Sequence, residues 1–569
     1  MVKYTKEKIV LYSVLLLLFA VLIYGCANQL PPGGGEVDTT PPQIVEVIPE
    51  NGTINFDDDY FELTFSEYVE KRSFKDAVFI SPIIDGTPEI SWSGKSVRYY
   101  FPEKLKEGIT YNITIGTDLV DFNNKNRMSE SFNLAFSTGD FIDYGSISGT
   151  VYDEKPSGVM IFAYRFEADT IDPAKHKPDY VSQVGQNGFY RFNCLAEGTY
   201  RIFAVQDEFR DLIYQPAQDK IGVPYQDIVL TRIDSLFRGM NFQLMSIDTV
   251  PPRLFSAVMT DQNHMLITFS EEVDTASIKA ENFVISDSLG QMQVAPLYAF
   301  KGRTKEKELV LSFETLADPD NAHLIISKNI SDKRDNITVG DTINLTRSDK
   351  PDTVVASIYS TLPASGASDV DFVKPEFSFF FDDGFNFGII KNEITVTDTS
   401  NIPVEFLLYK LDDASFKVKV EQTLKADKEY LINFNLKNFV DAAGNKYDDS
   451  IYVFKFKTIT GLEFTGLSGV VKNLDFNKNP LLVLKSKDKS SRIYKQKPDG
   501  KGNFDFSRIE PGKYFLYCFL DENSNGEYDY GFPFPYQHSE NVSYYRSEIN
   551  LPARWSVTNF EFIFNEEIR

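Results

Sequence analysis

The residues best placed to do chemistry lie near the carboxyl end, in the stretch DENSNGEYDYG. Asp521, Asn523, Asn525 and Asp529 occupy positions 1, 3, 5 and 9 of a loop with Gly526 at position 6. Calcium loops place oxygen ligands around a sharp turn at this spacing, and Glu527 at position 7 adds a backbone carbonyl. The loop departs from the full pattern at position 12, where Phe532 stands in place of a bidentate glutamate. Asp, Asn and Gly also build plain turns between strands, so a hard cation and a solvated turn are both open readings. The cofactor expectation is therefore none required, with calcium at 521–529 as the one candidate.

Other chemistry is poorly served. His176, His264, His323 and His538 are the only histidines, and none has metal-ligand spacing such as HExxH. No GxSxG elbow, phosphate-cradling glycine loop or CxxC pair occurs. The expectation is a protein without catalytic residues. Asp57 to Asp59 read as a solvated loop tip, and FSFFF at 377–381 reads as a core strand. GFPFPYQ, Gly531 to Gln537, is harder to bury because its prolines cannot join a central ladder, and it reads as an exposed aromatic contact surface.

The elements that carry these residues follow from composition and pattern. The chain has 48 Phe and 30 Tyr but only 2 Trp, with 14% aromatics, which favours pleated, half-buried strands. Formal net charge is −24. A field of that sign repels nucleic acid and anionic membrane surface, leaving proteins, glycans or divalent cations as partners. Three cysteines exclude a disulfide framework, and Cys194 and Cys518 read as small buried hydrophobes.

At the amino terminus Lys3, Lys6 and Lys8 precede an apolar run from Ile9 to Tyr24, the layout of a secretory signal. The run is shorter than the roughly 20 residues needed to span a bilayer. Ile23-Tyr24-Gly25-Cys26 resembles the bacterial lipobox, although Tyr24 departs from the small or β-branched residue usual there. The resemblance implies a signal peptide over 1–25, lipidation of Cys26 and a flexible tether over 26–37; cleavage removes three lysines and one glutamate and takes the net charge to −26. Acyl chains on Cys26 would anchor the protein to a membrane. Surface-exported lipoproteins of this type carry acidic residues soon after the cysteine, whereas here the first is Glu36, a slight lean to the periplasmic face of an outer membrane.

Two repeating units fill the rest. One opens as DTTPPQIVEVIPENGT from Asp38, DTVPPRLFSAV from Asp248 and DTVVASIYSTLPASGASDV from Asp352. These continue into FELTFSEYVE, MLITFSEEVD and PEFSFFFDDGF, and the first and third close on YNITIGTDLVDFNNK and YLINFNLKNFVDAAGNK. Alternation in YNITIG and YLINFN marks strands with one buried face. Several short strands at 8 to 12 residue spacing make a sandwich of about 100 residues. These units resemble the SbsA-type bacterial Ig-like domain over 38–140, 247–350 and 351–460. The second unit pairs GSISGTVYD with GLSGVVKN, and NGFYRFNCLAEGTYRIFAVQD with KGNFDFSRIEPGKYFLYCFLD. It resembles the carboxypeptidase-regulatory or transthyretin-like (prealbumin) sandwich over 141–246 and 461–569. The loop DEFRDLIYQ of the earlier copy lacks the ligand spacing of 521–529, so calcium is not required by that fold. The fold expectation is all-β, a tandem array of five β-sandwich domains, whether extended or folded back being open.

Nine Asp-(Ser/Thr)-apolar or Asp-Thr-Thr tripeptides resemble the acceptor motif for O-glycosylation in Bacteroidota, with hydroxyls on Thr39, Thr170, Ser235, Thr249, Thr275, Ser288, Thr342, Thr353 and Ser450. Average composition gives roughly two; Asp and Thr are also common at strand edges and turns. Together these readings imply a non-enzymatic outer-membrane lipoprotein, a scaffold, spacer or protein-binding arm and an accessory subunit of an envelope assembly or secretion complex. The alternative is a cell-surface adhesin or glycan-binding protein.

Overall fold

The computed structural model describes residues 8, 10–14, 37–84, 86–167, 171–287, 293–314, 322–326, 329–447, 450–488 and 492–566. Cys26, Thr170 and Ser288 lie outside them. No helix among the described residues is long and apolar enough to cross a membrane. The protein is all-β, a tandem array of β-sandwiches, and it divides into two compact units: Met1–Tyr144 with Tyr180–Ala196, and Gly145–Asp179 with Glu197–Arg569.

In the first unit, strands Ile44–Ile48, Tyr60–Phe65, Ser96–Tyr100 and Glu89–Ser93 form one antiparallel sheet, and Val78–Ser81, Thr110–Ile115 and Phe132–Ser137 the other. Alternation in YFELTF turns Phe61, Leu63 and Phe65 inward against Ile113, Ile115, Leu134 and Phe136, with Phe74 of helix Lys71–Ala77 between the sheets. Tyr111 closes the corner: its hydroxyl accepts from the Lys106 backbone N–H at 2.9 Å.

Strand Thr110–Ile115 departs from the expected one-sided burial, because all six of its residues are buried. Segment 180–196 accounts for the second face. Asn112 Nδ2 donates to the Asn193 carbonyl, and Gln183 Nε2 donates to Asp118 Oδ2 at 2.8 Å while its Oε1 accepts from the Asp118 N–H at 3.1 Å. The polar outer face is thus buried with Asn112 Nδ2 and both ends of the Gln183 amide paired, while Asn112 Oδ1 is buried without a partner. The clean boundary expected at 140/141 gives way here, since residues 180–196 group with the first Ig-like sandwich.

In the second unit the two copies of the second repeat, the units expected to be transthyretin-like, share a strand plan. Gly198–Val205 is flanked by Met160–Phe166 and Lys220–Gly222, with Ile228–Leu230 added to it. Likewise Gly512–Leu520 is flanked by Pro480–Ser486 and Val542–Tyr544, with Ile549–Leu551 added. In each, the opening strand (Gly145–Tyr152, Thr465–Lys472) pairs in parallel with a late one. Between them lie two sandwiches of Ig-like type. The first pairs Leu254–Met259, His264–Phe269, Glu308–Ser312 and Tyr298–Lys301 in one sheet, and the second does the same with Ile358–Leu362, Glu376–Phe381, Ser415–Val420 and Phe406–Asp412. Phe377, Phe379 and Phe381 have no exposed surface, as expected of a core strand.

The array is folded back within this unit, because the two modules of the second repeat pack on each other. Asn241, 4% exposed, donates from Nδ2 to the Val542 carbonyl (3.1 Å) and to Asn565 Oδ1 (2.9 Å), and its Oδ1 accepts from the Thr150 N–H at 2.9 Å. Ser539 donates its N–H to the Pro224 carbonyl and its hydroxyl to the Val223 carbonyl, at 3.2 and 2.8 Å. Tyr152 packs on Tyr544 with ring centroids 4.6 Å apart.

Candidate cation-binding loop

The loop 521–531 leaves strand Gly512–Leu520 at the end next to that seam, and four of its five predicted residues converge. Asp521 is 1% exposed. Its Oδ2 accepts from the Gly526 N–H at 3.1 Å, while its Oδ1 is buried without a hydrogen-bond partner. Gly526 holds φ +78°, the left-handed turn that its position requires. Asn523 Oδ1 accepts from the Asn525 N–H and Asn525 Oδ1 from the Glu527 N–H, at 3.0 and 2.7 Å. Both side-chain amides donate to Asp529 Oδ2, at 2.6 and 3.2 Å. Glu527 is different: its carboxylate turns outward to Lys495, 2.6 Å away, and its side chain is 78% exposed.

The residue that sequence reasoning missed is Glu540. It is 6% exposed and caps the loop, Oε1 accepting from the Glu522 N–H at 2.9 Å and Oε2 from the Asp529 N–H at 3.2 Å. Burial, with the charges of Asp529 and Asp521 beside it, outweighs those two donors and pushes its carboxyl up to about 7. A signal was present, for Glu540 is the only acidic residue between Asp529 and strand Val542–Tyr544. Its two oxygens hold the loop backbone at Glu522 and Asp529. Asp521, Asn523, Asn525 and Asp529 are the residues of the expected calcium loop, and here both side-chain amides turn their N–H groups, not their oxygens, to Asp529. Asp529 also lines a cavity of about 440 Å³ with Met245, Asp248, Arg334, Tyr530 and His538.

The segment Gly531 to Gln537 is not the free aromatic surface expected. Arg201, paired through Nε and Nη2 with Asp227 at 2.8 and 2.7 Å, lies 3.4 Å from the Tyr536 ring centroid, and the Tyr536 hydroxyl donates to the Pro224 carbonyl at 3.3 Å. Its aromatic content serves the seam, because a guanidinium fixed by a carboxylate is a ready platform for a ring. Phe534 alone stays half exposed, with Lys175 over it. Asp57 to Asp59 are exposed, as expected.

Of the proposed glycosylation residues, Thr39, Thr249, Thr275, Thr342 and Thr353 are exposed and Ser235 and Ser450 half-buried. The aspartates of three of these tripeptides also shape the backbone, for Asp38, Asp248 and Asp352 each accept, through Oδ1, the N–H two residues on, at 2.9, 3.0 and 3.0 Å. Cys518 is buried, and burial pushes its thiol well above the usual range. Cys194 is only half-buried and stands at φ +55°, matched by Arg508 at +59° in the other copy, so this is a repeated backbone kink. His264 carries a strongly shifted imidazole: burial opposes its charge, but Asp383 and Asp261 push it up to about 9.

These features define a multi-module β-sandwich protein. A family model described as a bacterial Ig-like domain matches residues 38–138 and 352–458. No curated protein matches. Solved structures with similarity include CopC from Methylosinus trichosporium OB3b, 11% identical over 18% of this chain and 93% of that one, TM-score 0.15. Domains 1–6 of the surface layer protein SbsC are 12% identical over 84% of this chain and 64% of that one, TM-score 0.16. The major pilin subunit BcpA of Bacillus cereus is 7% identical over 74% of this chain and 99% of that one, TM-score 0.14.

Proposed function

We propose that this chain is a non-enzymatic lipoprotein of a bacterial outer membrane, held by acyl chains on Cys26, whose sandwiches form a scaffold for other envelope proteins. The observation that carries the reading is the seam at Asn241. A fully satisfied polar contact between the outermost modules of the second unit presents its surfaces in fixed relation, which suits a scaffold and has no use in a flexible spacer. The lipobox-like Ile23-Tyr24-Gly25-Cys26, the acidic surface and the lack of catalytic motifs point the same way. Calcium held by Asp521, Asn523, Asn525 and Asp529 stiffens the loop next to the seam, and the exposed threonines carry glycans.

Replacing Cys26 with serine and fractionating cells tests the anchor; the variant should leave the membrane fraction. Affinity purification from detergent-solubilised membranes should recover stoichiometric envelope proteins. Recovery of the chain alone, together with binding on a glycan array by the soluble ectodomain and its cleavage by protease on intact cells, would favour an adhesin instead.

A further inference from the structure

A second cluster, with no counterpart in the sequence motifs, lies between the two Ig-like sandwiches of the second unit. His264 opens strand His264–Phe269 of the first of them. Asp352 opens the second, Asp383 follows its strand Glu376–Phe381, and Asp441 sits in its DAAGN turn. His264, Asp352 and Asp383 each bring one ligand atom within 4.8 Å of the others.

Three observations mark this cluster as a metal-ligand set. Asp261 holds His264 Nδ1 through both oxygens, at 3.0 and 3.1 Å. That is the carboxylate–imidazole arrangement that orients a metal-binding histidine and leaves Nε2 for the ion. His264 Nε2 lies 2.9 Å from Asp383 Oδ1 but off the line of a hydrogen bond, and Nε2, Asp383 Oδ2 and Asp441 Oδ2 are all buried with no hydrogen-bond partner. Asp383 and Asp441 are each only 5% exposed, and leaving such oxygens unpaired is costly. Finally, among the described residues no lysine or arginine forms an ion pair with Asp261, Asp352 or Asp383, so one imidazole faces three carboxylates.

The carboxylate trio is a property of the repeat. The aspartate that opens each unit ahead of its first strand, the acid two residues past the FSE-type phenylalanine and the aspartate of the closing turn recur as Asp38, Glu67 and Asp121, as Asp248, Glu271 and Asp332, and as Asp352, Asp383 and Asp441. In the middle copy all three come within 4.8 Å of one another, whereas in the last it is Asp352 and Asp383 that do so with His264. Only the last copy acquires a histidine, donated by the preceding module.

We propose that Asp352, Asp383 and His264 Nε2 bind one first-row divalent cation, of zinc type, that locks these two Ig-like modules together. An imidazole nitrogen among carboxylates selects such an ion over calcium or magnesium. Ligand atoms around zinc sit about 3 to 3.5 Å apart, so a contraction of roughly 1 Å closes the set. The Asp352 carboxylate is already oriented, Oδ1 by the Val354 N–H and Oδ2 by Asn445 Nδ2, each at 3.0 Å.

The test uses the full ectodomain, chelated and then titrated with zinc alone. One ion per chain by elemental analysis is expected, with affinity reduced at least tenfold in His264→Gln and in Asp383→Asn and retained in Asp521→Asn. If a variant fails to fold, long-range proton–nitrogen spectra of the wild type decide the matter, because zinc should shift the Nε2 signal of one histidine alone. No zinc uptake at 0.1 mM, binding abolished only by Asp521→Asn, or calcium uptake that His264→Gln leaves untouched would each overturn the proposal; the first would make the cluster an ion-pair latch.

Discussion

Asn241→Ala is the sharpest probe of the folded-back arrangement. The substitution deletes the three hydrogen bonds of one buried amide and leaves the Thr150 N–H and the Val542 carbonyl buried without partners. Each orphan costs about 1 to 3 kcal/mol, which puts the loss at roughly 3 kcal/mol. At 1.4 kcal/mol per factor of ten, seam opening should become about a hundredfold more frequent. Hydrogen exchange followed by mass spectrometry reads this directly at Thr150, whose N–H donates to Asn241, and at Ser539, whose N–H donates to Pro224 across the seam. Protection at both should fall together, while amides of strand Tyr60–Phe65 in the other unit keep theirs. Protection at Ser539 within twofold of wild type would refute the claim that this amide holds the modules together.

Other perturbations follow from single contacts. The Glu540 carboxyl is raised from 4.5 to about 7, so in chelator the fold holds more protons than the unfolded chain between those values. Its stabilisation is complete below pH 4.5 and lost as pH rises towards 7, by about 3 kcal/mol; Glu540→Gln should flatten that slope in denaturant titrations, and calcium should abolish it in the wild type. Gly469→Ala places a Cβ 1.9 Å from the Phe560 carbonyl oxygen, so it should part the parallel pair Thr465–Lys472 and Val557–Ile563 and lower stability by about 3 kcal/mol or more in thermal melts. Tyr430→Phe removes only the hydroxyl that accepts from the Lys425 N–H at 3.0 Å and should cost about 1 kcal/mol in denaturant titrations.

The sandwich architecture was legible because it is written in short-range pattern. YFELTF and EFSFFF bury alternate residues as their period of two requires, and Gly188 and Gly502 of the second repeat hold matching left-handed turns, at φ +82° and +86°. Two kinds of feature were not legible. YNITIG alternates like a half-exposed strand, yet segment 180–196 covers its other face, and no local pattern announces a cover supplied from far along the chain. Glu540 and His264 were passed over for a related reason. A site assembled from a loop and a distant residue has no spacing to read, and GFPFPYQ looked exposed only because its partner Arg201 comes from another module.

The clasp between the first and last modules of the second unit also bears on how load travels. A pull on the carboxyl end reaches Gly145 through the Asn241 and Ser539 contacts before any tension falls on the two Ig-like sandwiches strung between. Those sandwiches are slack in a closed circuit, protected until the clasp yields, and the clasp rather than any single domain is the fuse.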